Sequence, residues 1–242
     1  QLVTVSLVTC FLVSLYAIFQ MAHGQRASAP FEGKEGEPNT LGGYLVFMLS
    51  IVTGLLTVPG ASRNKVVHVV LLMAGFVALQ ATLSRSSYLA AGVVVLVFMI
   101  YISRRRPLLL TFVLMGLMAA PIWAPESVKN RIMYTFTQSA REGEQYRIGA
   151  VKVDTSTTDR LRSWQEAVKA WKESPLWGKG VTGGPFMDAM YPKLIADVGL
   201  LGIMAFGFLI WSIYQLARSA LQDVDDPYFQ GIITGFLLGL VG

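Results

Sequence analysis

The run VGLLGIMAFGFLIWSIYQLA, from Val198 to Ala217, holds twenty residues without a charge, and its reading decides the fold. An α-helix of about twenty apolar residues crosses the hydrocarbon of a bilayer. No water is available there, so backbone N–H and C=O groups must be satisfied within the element, which leaves helices and closed barrels. The run is too long and too uniformly apolar for a barrel strand of alternating character. A second stretch, Leu108 to Ala124, has seventeen residues without a charge.

Working outward, five further apolar segments can be placed: Leu2 to Ala22, Leu41 to Pro59, Val66 to Leu83, Tyr88 to Ile102, and Phe229 to the end. The expectation is an all-α fold, a polytopic transmembrane helix bundle of seven such segments forming one domain over residues 1–242. Composition agrees: 53% of residues are hydrophobic and 14% charged, whereas soluble domains carry roughly a quarter charged residues. The lipid bilayer is therefore the first expected partner. The net charge of +5 does not point to nucleic acid, because the basic residues sit at helix ends and form no stripe with interleaved aromatics. Cys10 is the single cysteine and lies in an apolar run, which excludes disulfide and metal frameworks. His23 and His68 lack metal-ligand spacing, so no metal or cofactor is expected. The chain opens at Gln1 without a Met, and its last apolar run stops at Gly242, so both ends are expected to be cuts in a longer protein.

Orientation follows from the short loops. Arg63 and Lys65 mark one connection, Arg104 to Arg106 another, and Arg218 a third, and all three fall on one side. The positive-inside rule makes that side cytoplasmic. The segments at 23–40, 84–87 and 125–197 then face outward. The segment 125–193 is expected to be a long extracytoplasmic loop between the fifth and sixth membrane helices, and ordered loops of that length are usually functional. Within it, Leu161, Trp164, Ala167, Val168 and Trp171 recur at helical spacing behind Thr157, Thr158 and Asp159. That pattern predicts an amphipathic helix over 160–172, lying along the membrane surface with Leu161, Trp164, Val168 and Trp171 toward apolar surroundings. Ser127 to Gln138 is a second candidate helix. Pro175 and the glycines at 178, 180, 183 and 184 end the first one and begin a turn-rich approach to the sixth membrane helix.

Four places could carry chemistry. Arg85, in Ser84-Arg85-Ser86-Ser87-Tyr88, interrupts the apolar pattern at the outer end of the third membrane helix. It either snorkels to the interface or keeps a guanidinium there for a phosphate, which it can grip with two parallel hydrogen bonds. Asp188 and Asp197 are nine residues apart. On one regular helix they would point to opposite faces, so they would not act as a pair. Asp188 is the better base candidate, against the bland reading of a solvated loop carboxylate; Asp197 reads as a polar helix-end residue. The glycine-rich run at 178–184 is not a Walker loop. Arg104 to Arg106 read most simply as a topology anchor.

Taken in order, three pieces resemble the O-antigen ligase and O-antigen polymerase superfamily of bacterial envelope enzymes. They are Ser-Arg-Ser-Ser-Tyr-Leu at 84–89; Asp-Arg-Leu-Arg-Ser-Trp-Gln-Glu-Ala at 159–167 with Glu-Ser-Pro-Leu-Trp-Gly-Lys-Gly at 173–180; and Asp-Ala-Met-Tyr with Asp-Val-Gly-Leu-Leu-Gly at 188–202. The resemblance implies a multi-pass protein of the bacterial inner membrane with its long loop toward the periplasm. It implies that a glycan on a polyprenyl pyrophosphate is passed to an acceptor sugar, without metal or nucleotide sugar. Arg85 matches the arginine of the first motif and Arg160, four residues before Trp164, that of the second; both would hold pyrophosphate. Asp188, eleven residues before Gly199, stands where ligases of the family have a histidine. That departure leaves a polymerase, another glycan transferase and an inactive relative open. A carboxylate there would take the acceptor hydroxyl's proton, while the arginines neutralise charge on the leaving pyrophosphate.

The competing reading, from a different class, is a non-catalytic membrane subunit that keeps the fold and packs against partner membrane proteins. A transporter would place ionisable residues deep in mid-membrane helices, and the sequence has none beyond His68 near an inner end.

Overall fold

The computed structural model describes residues 1–30, 36–103, 155–181, 183, 184, 187 and 189–242, with isolated positions between 111 and 152. Among these, the elements are α1 (Leu2–Ala22), α2 (Pro38–Thr57), α3 (Lys65–Ala81), α4 (Arg85–Ser103), β1 (Arg147–Ile148), β2 (Val151–Lys152), α5 (Thr155–Glu173), α6 (Met190–Asp223) and α7 (Pro227–Gly239). Among the described residues the regular elements are helical apart from the two-residue antiparallel pair β1–β2, in which Arg147 faces Lys152. By length and composition α1, α2 and α6 can cross a membrane; α3 and the apolar part of α4 are shorter. Arg104 to Arg106, nearly all of the apolar run 108–124 and much of the segment 125–154 lie outside the described residues.

The chain forms two compact units, one of Gln1–Lys129 with Ala217–Gly242, the other of Asn130–Leu216. In the first, α2 is the central helix. Of its apolar stretch 61% is buried, against 28% for α1, and it contacts α3, α4 and α7. Leu41, Leu45, Val52 and Leu55, spaced three to seven apart, are fully buried along it. Leu41, Leu45 and Val52 meet a core that includes Cys10 and Ala17 of α1 and Leu71 and Ala78 of α3. Pro38 and Pro227 stand at the starts of α2 and α7, where the missing N–H costs nothing and the fixed φ suits a helix. Asn64 and Asp226 cap α3 and α7 by accepting from Val67 N and Tyr228 N.

The tightest helix pair is α2 with α7, and glycine makes it possible. Gly231, Gly235 and Gly239 form a stripe at four-residue spacing. A Cβ on Gly54 would overlap the carbonyl oxygen of Gly231, and a Cβ on Gly239 would reach within 2.8 Å of the Phe47 ring. Apolar chains alone give little reason for helices to associate in lipid, so close backbone approach through small residues supplies the contact. The hydroxyls of Ser50, Thr53 and Thr57 donate to carbonyls four residues back at 2.6–2.8 Å, which leaves them satisfied in an apolar setting.

This unit has two distinct ends. At one, the corner 58–64 meets the start of α7: Ala61 Cβ would be 2.8 Å from a Cβ on Gly231, and Pro227 3.5 Å from one on Gly60. Arg63 and Lys65 belong to that end. At the other, the α3–α4 corner meets the start of α2 and the segment after α1.

In the second unit, two expectations need correction. α5 begins at Thr155, five residues before the expected 160, so Thr157, Thr158 and Asp159 lie inside its first turns. Its buried apolar positions are Ala167 and Ala170, which join Met187 and Ala196 in a small cluster. Trp164 and Val168 are 43% and 42% exposed. α6 begins at Met190, eight residues before the expected Val198, and is broken inside by Gly199 at φ 60°, ψ −163°.

Candidate functional site

The α3–α4 corner is built from the serine-rich sequence around Arg85. Thr82 closes α3 by donating its hydroxyl to Leu79 O at 2.7 Å. Leu83 then takes a left-handed backbone, φ 49°. Ser84 precedes α4, and its Oγ accepts from Ser87 N at 3.3 Å and from Ser87 Oγ at 2.8 Å, as an N-cap does. The same Oγ donates to Asn39 Oδ1 of α2 at 2.7 Å, and Ser86 Oγ reaches that atom at 3.2 Å. A Cβ on Gly42 would overlap Ser87 Oγ, so glycine is what lets α4 come this close to α2. Tyr88 OH donates to Gln80 O at 2.9 Å. The serines therefore pin the first turn of α4 to α2, and Arg85, half-buried, is the first residue of that turn.

Sequence reasoning passed over Arg26. Its Nε donates to Thr82 O at 2.7 Å and its Nη2 to Leu83 O at 3.2 Å. A lone arginine in the polar stretch after α1 was the available signal, but nothing local shows that it reaches residues 56 and 57 positions away.

In the second unit, the loop after α5 and the break in α6 are one assembly. A helix interrupted at Gly199 exposes carbonyls on one side and N–H groups on the other, and each needs a partner. Lys179 N donates to Ala196 O and Gly180 N to Asp197 O, both at 2.9 Å. From the other half, Leu200 N donates to Pro175 O at 2.9 Å and Leu201 N to Leu176 O at 3.1 Å. The loop folds back on itself through Gly178 N to Ser174 O at 3.0 Å, and Trp171 Nε1 donates to Pro175 O at 3.0 Å. Glu173-Ser-Pro-Leu-Trp-Gly-Lys-Gly180 and Asp197-Val-Gly-Leu-Leu-Gly202 thus complete each other's hydrogen bonding, a link that their separate sequences do not reveal. Lys179 also pairs with Glu173 at 2.5 Å.

Arg160 is exposed on α5. Asp197 is nearly buried, beside the break. Asp188 lies outside the described residues. Arg85 belongs to the first unit and Arg160 to the second. Among the described residues no three His, Cys, Asp or Glu side chains gather as metal ligands would. His68 is engaged by Ser62 Oγ and Asn64 O, each at 2.9 Å.

No curated protein and no solved structure matches the chain. A family model described as O-antigen ligase matches residues 68–202. The match runs from α3 through the α3–α4 corner and α5 to the second half of the broken α6, and so includes Arg85, Arg160, Asp188 and the Gly199 clamp. It takes in more than half of the 242 residues, and the chain belongs to the O-antigen ligase family.

Proposed function

We propose that the protein transfers a glycan from a polyprenyl-pyrophosphate carrier to an acceptor sugar at the outer face of the bacterial inner membrane. Glycosyl transfer of the O-antigen ligase kind follows from the family; carrier, acceptor and face are our reading. The observation that supports it most is the α3–α4 corner. There a network of serines and one asparagine spends several hydrogen bonds on fixing the first turn of an apolar helix that begins with an arginine. A polyprenyl pyrophosphate has its tail in lipid and its charge at the headgroup level, so a transferase needs a fixed cation at a helix end.

In this reading Arg85 and Arg160 hold the pyrophosphate and Asp188 is the base. The carboxylate takes the proton of the acceptor hydroxyl, whose oxygen bonds to the anomeric carbon. The bond from that carbon to the pyrophosphate oxygen breaks, and the leaving group keeps the electron pair. A free aspartate has a pKa of about 3.9, so its surroundings must raise it for this role. Arg63 and Lys65, together with Arg218 in the last turns of α6, face the cytoplasm, and the segment 125–193 is an outward loop of a bundle of about seven membrane helices.

The test is reconstitution of the full-length protein with a polyprenyl-pyrophosphate-linked glycan. Release of free polyprenyl pyrophosphate that depends on an added acceptor saccharide is the expected result. Glycan left on its carrier in the presence of acceptor would favour the non-catalytic subunit, a reading that the aspartate in place of the ligase histidine keeps in view.

A further inference from the structure

Leu83 is the one non-glycine residue with positive φ among the described residues, and it stands two positions before Arg85. A bulky side chain disfavours that backbone, which persists only where its surroundings hold it. What holds it is visible. Arg26 lays its guanidinium against this turn, Nε on Thr82 O and Nη2 on Leu83 O. The segment behind the arginine is itself tied down: Ala27 N donates to Ala81 O at 3.0 Å, and Ser28 N to Gln20 Oε1 at 3.1 Å. Ala27, Ser28 and Ala29 are buried. A cation also suits the carbonyl end of α3, where unpaired C=O groups and the helix dipole concentrate negative charge.

We propose that Arg26 is a positioning residue for Arg85, holding the strained Thr82–Leu83 turn from which α4 and its first residue depart. The proposal rests on Arg85 being a pyrophosphate ligand. It adds that the segment after α1 works in that site without touching substrate. The planar fork of arginine spans two adjacent carbonyls; lysine, a point charge on a flexible stem, cannot hold both.

The test uses the full-length protein in lipid nanodiscs with two independent readouts. The first is amide hydrogen exchange at Ser84, Ser87 and Tyr88, with α2 as the internal report of an intact fold. The second is binding of farnesyl pyrophosphate as a probe. Arg26→Ala should speed exchange at the corner and weaken probe binding, each by about tenfold, the scale of one lost charge-assisted hydrogen bond. Arg26→Lys should stay close to Arg26→Ala. Leu83→Gly alone should behave as wild type, and added to Arg26→Ala it should restore most of the binding, because glycine adopts this backbone without help.

Corner exchange unchanged in Arg26→Ala overturns the proposal, as does loosened exchange with unchanged binding. A double variant as weak as Arg26→Ala overturns it too, and would make Arg26 a direct ligand. Wild-type protein that ignores the probe overturns the transferase reading, and Arg26's role within it. The exchange difference, which needs no ligand, still decides in that case whether Arg26 holds the turn.

Discussion

Gly178 and Gly199 meet backbone to backbone: a Cβ on Gly199 would stand 2.5 Å from the amide nitrogen of Gly178. Both have positive φ, 69° and 60°. The ψ of −163° at Gly199 belongs to a region that glycine alone occupies readily. The break in α6 and the loop that fills it are therefore possible only with these two residues.

Gly199→Ala should cost roughly 3–5 kcal/mol, from backbone strain and from overlap with the loop. For a protein of this size that lowers Tm by about 6–20 °C, readable by thermal unfolding in detergent. Gly207, inside the same helix with open space around it, is the control: Gly207→Ala should change stability by less than about 1 kcal/mol. Equal Tm values for the two variants would contradict the clamp.

Trp171→Phe keeps an aromatic ring and removes the donor to Pro175 O. Because the bond is exposed, the loss should be about 0.5–1 kcal/mol. The expected signature is local, faster exchange at the Gly178 amide with little change in Tm. Unchanged exchange there would show that the indole does not order the loop.

Gly235→Leu should prevent α7 from seating on α2, since a Cβ at that position already overlaps Ile51. A cost of about 3 kcal/mol or more is expected, seen as loss of the monodisperse peak in detergent size exclusion. Gly43, with nothing close to it, should accept leucine without harm.

These sites also show what the sequence makes legible. The apolar helices at 2–22, 41–59, 66–83 and 88–102 were read within a few residues, because a long uncharged apolar run is legible from composition. Arg85 and Arg160 were singled out by motif, and the helices that carry them follow from local pattern. The α6 break was not read, though Gly178, Gly180 and Gly199 were its signal. It consists of backbone hydrogen bonds between segments about twenty residues apart, and a backbone carbonyl carries no residue code. Arg26 was missed for the same reason, since both of its acceptors are carbonyls. On α5 the large residues drew the eye, and Ala167 and Ala170 make the contact.

Orientation can be tested at two exposed corners, with Cys10 replaced by alanine. In intact cells made permeable only at the outer membrane, an impermeant maleimide should label Gln25→Cys, and should label Pro59→Cys only after lysis. The reverse pattern would invert the assignment, and labelling of both from one side would refute it.

The central claim is that Arg85, Arg160 and Asp188 serve one transfer reaction. It is tested most directly by acceptor-dependent release of polyprenyl pyrophosphate from reconstituted full-length variants. The account predicts that Arg85→Ala and Arg160→Ala each remove activity while the protein remains inserted. Arg→Lys should restore little at either position, because lysine lacks the planar fork. Asp188→Asn, nearly unchanged in shape, should lower the rate by about 100-fold or more, the usual share of a general base. Wild-type release by the Asp188→Asn protein, or by either alanine variant, would contradict it.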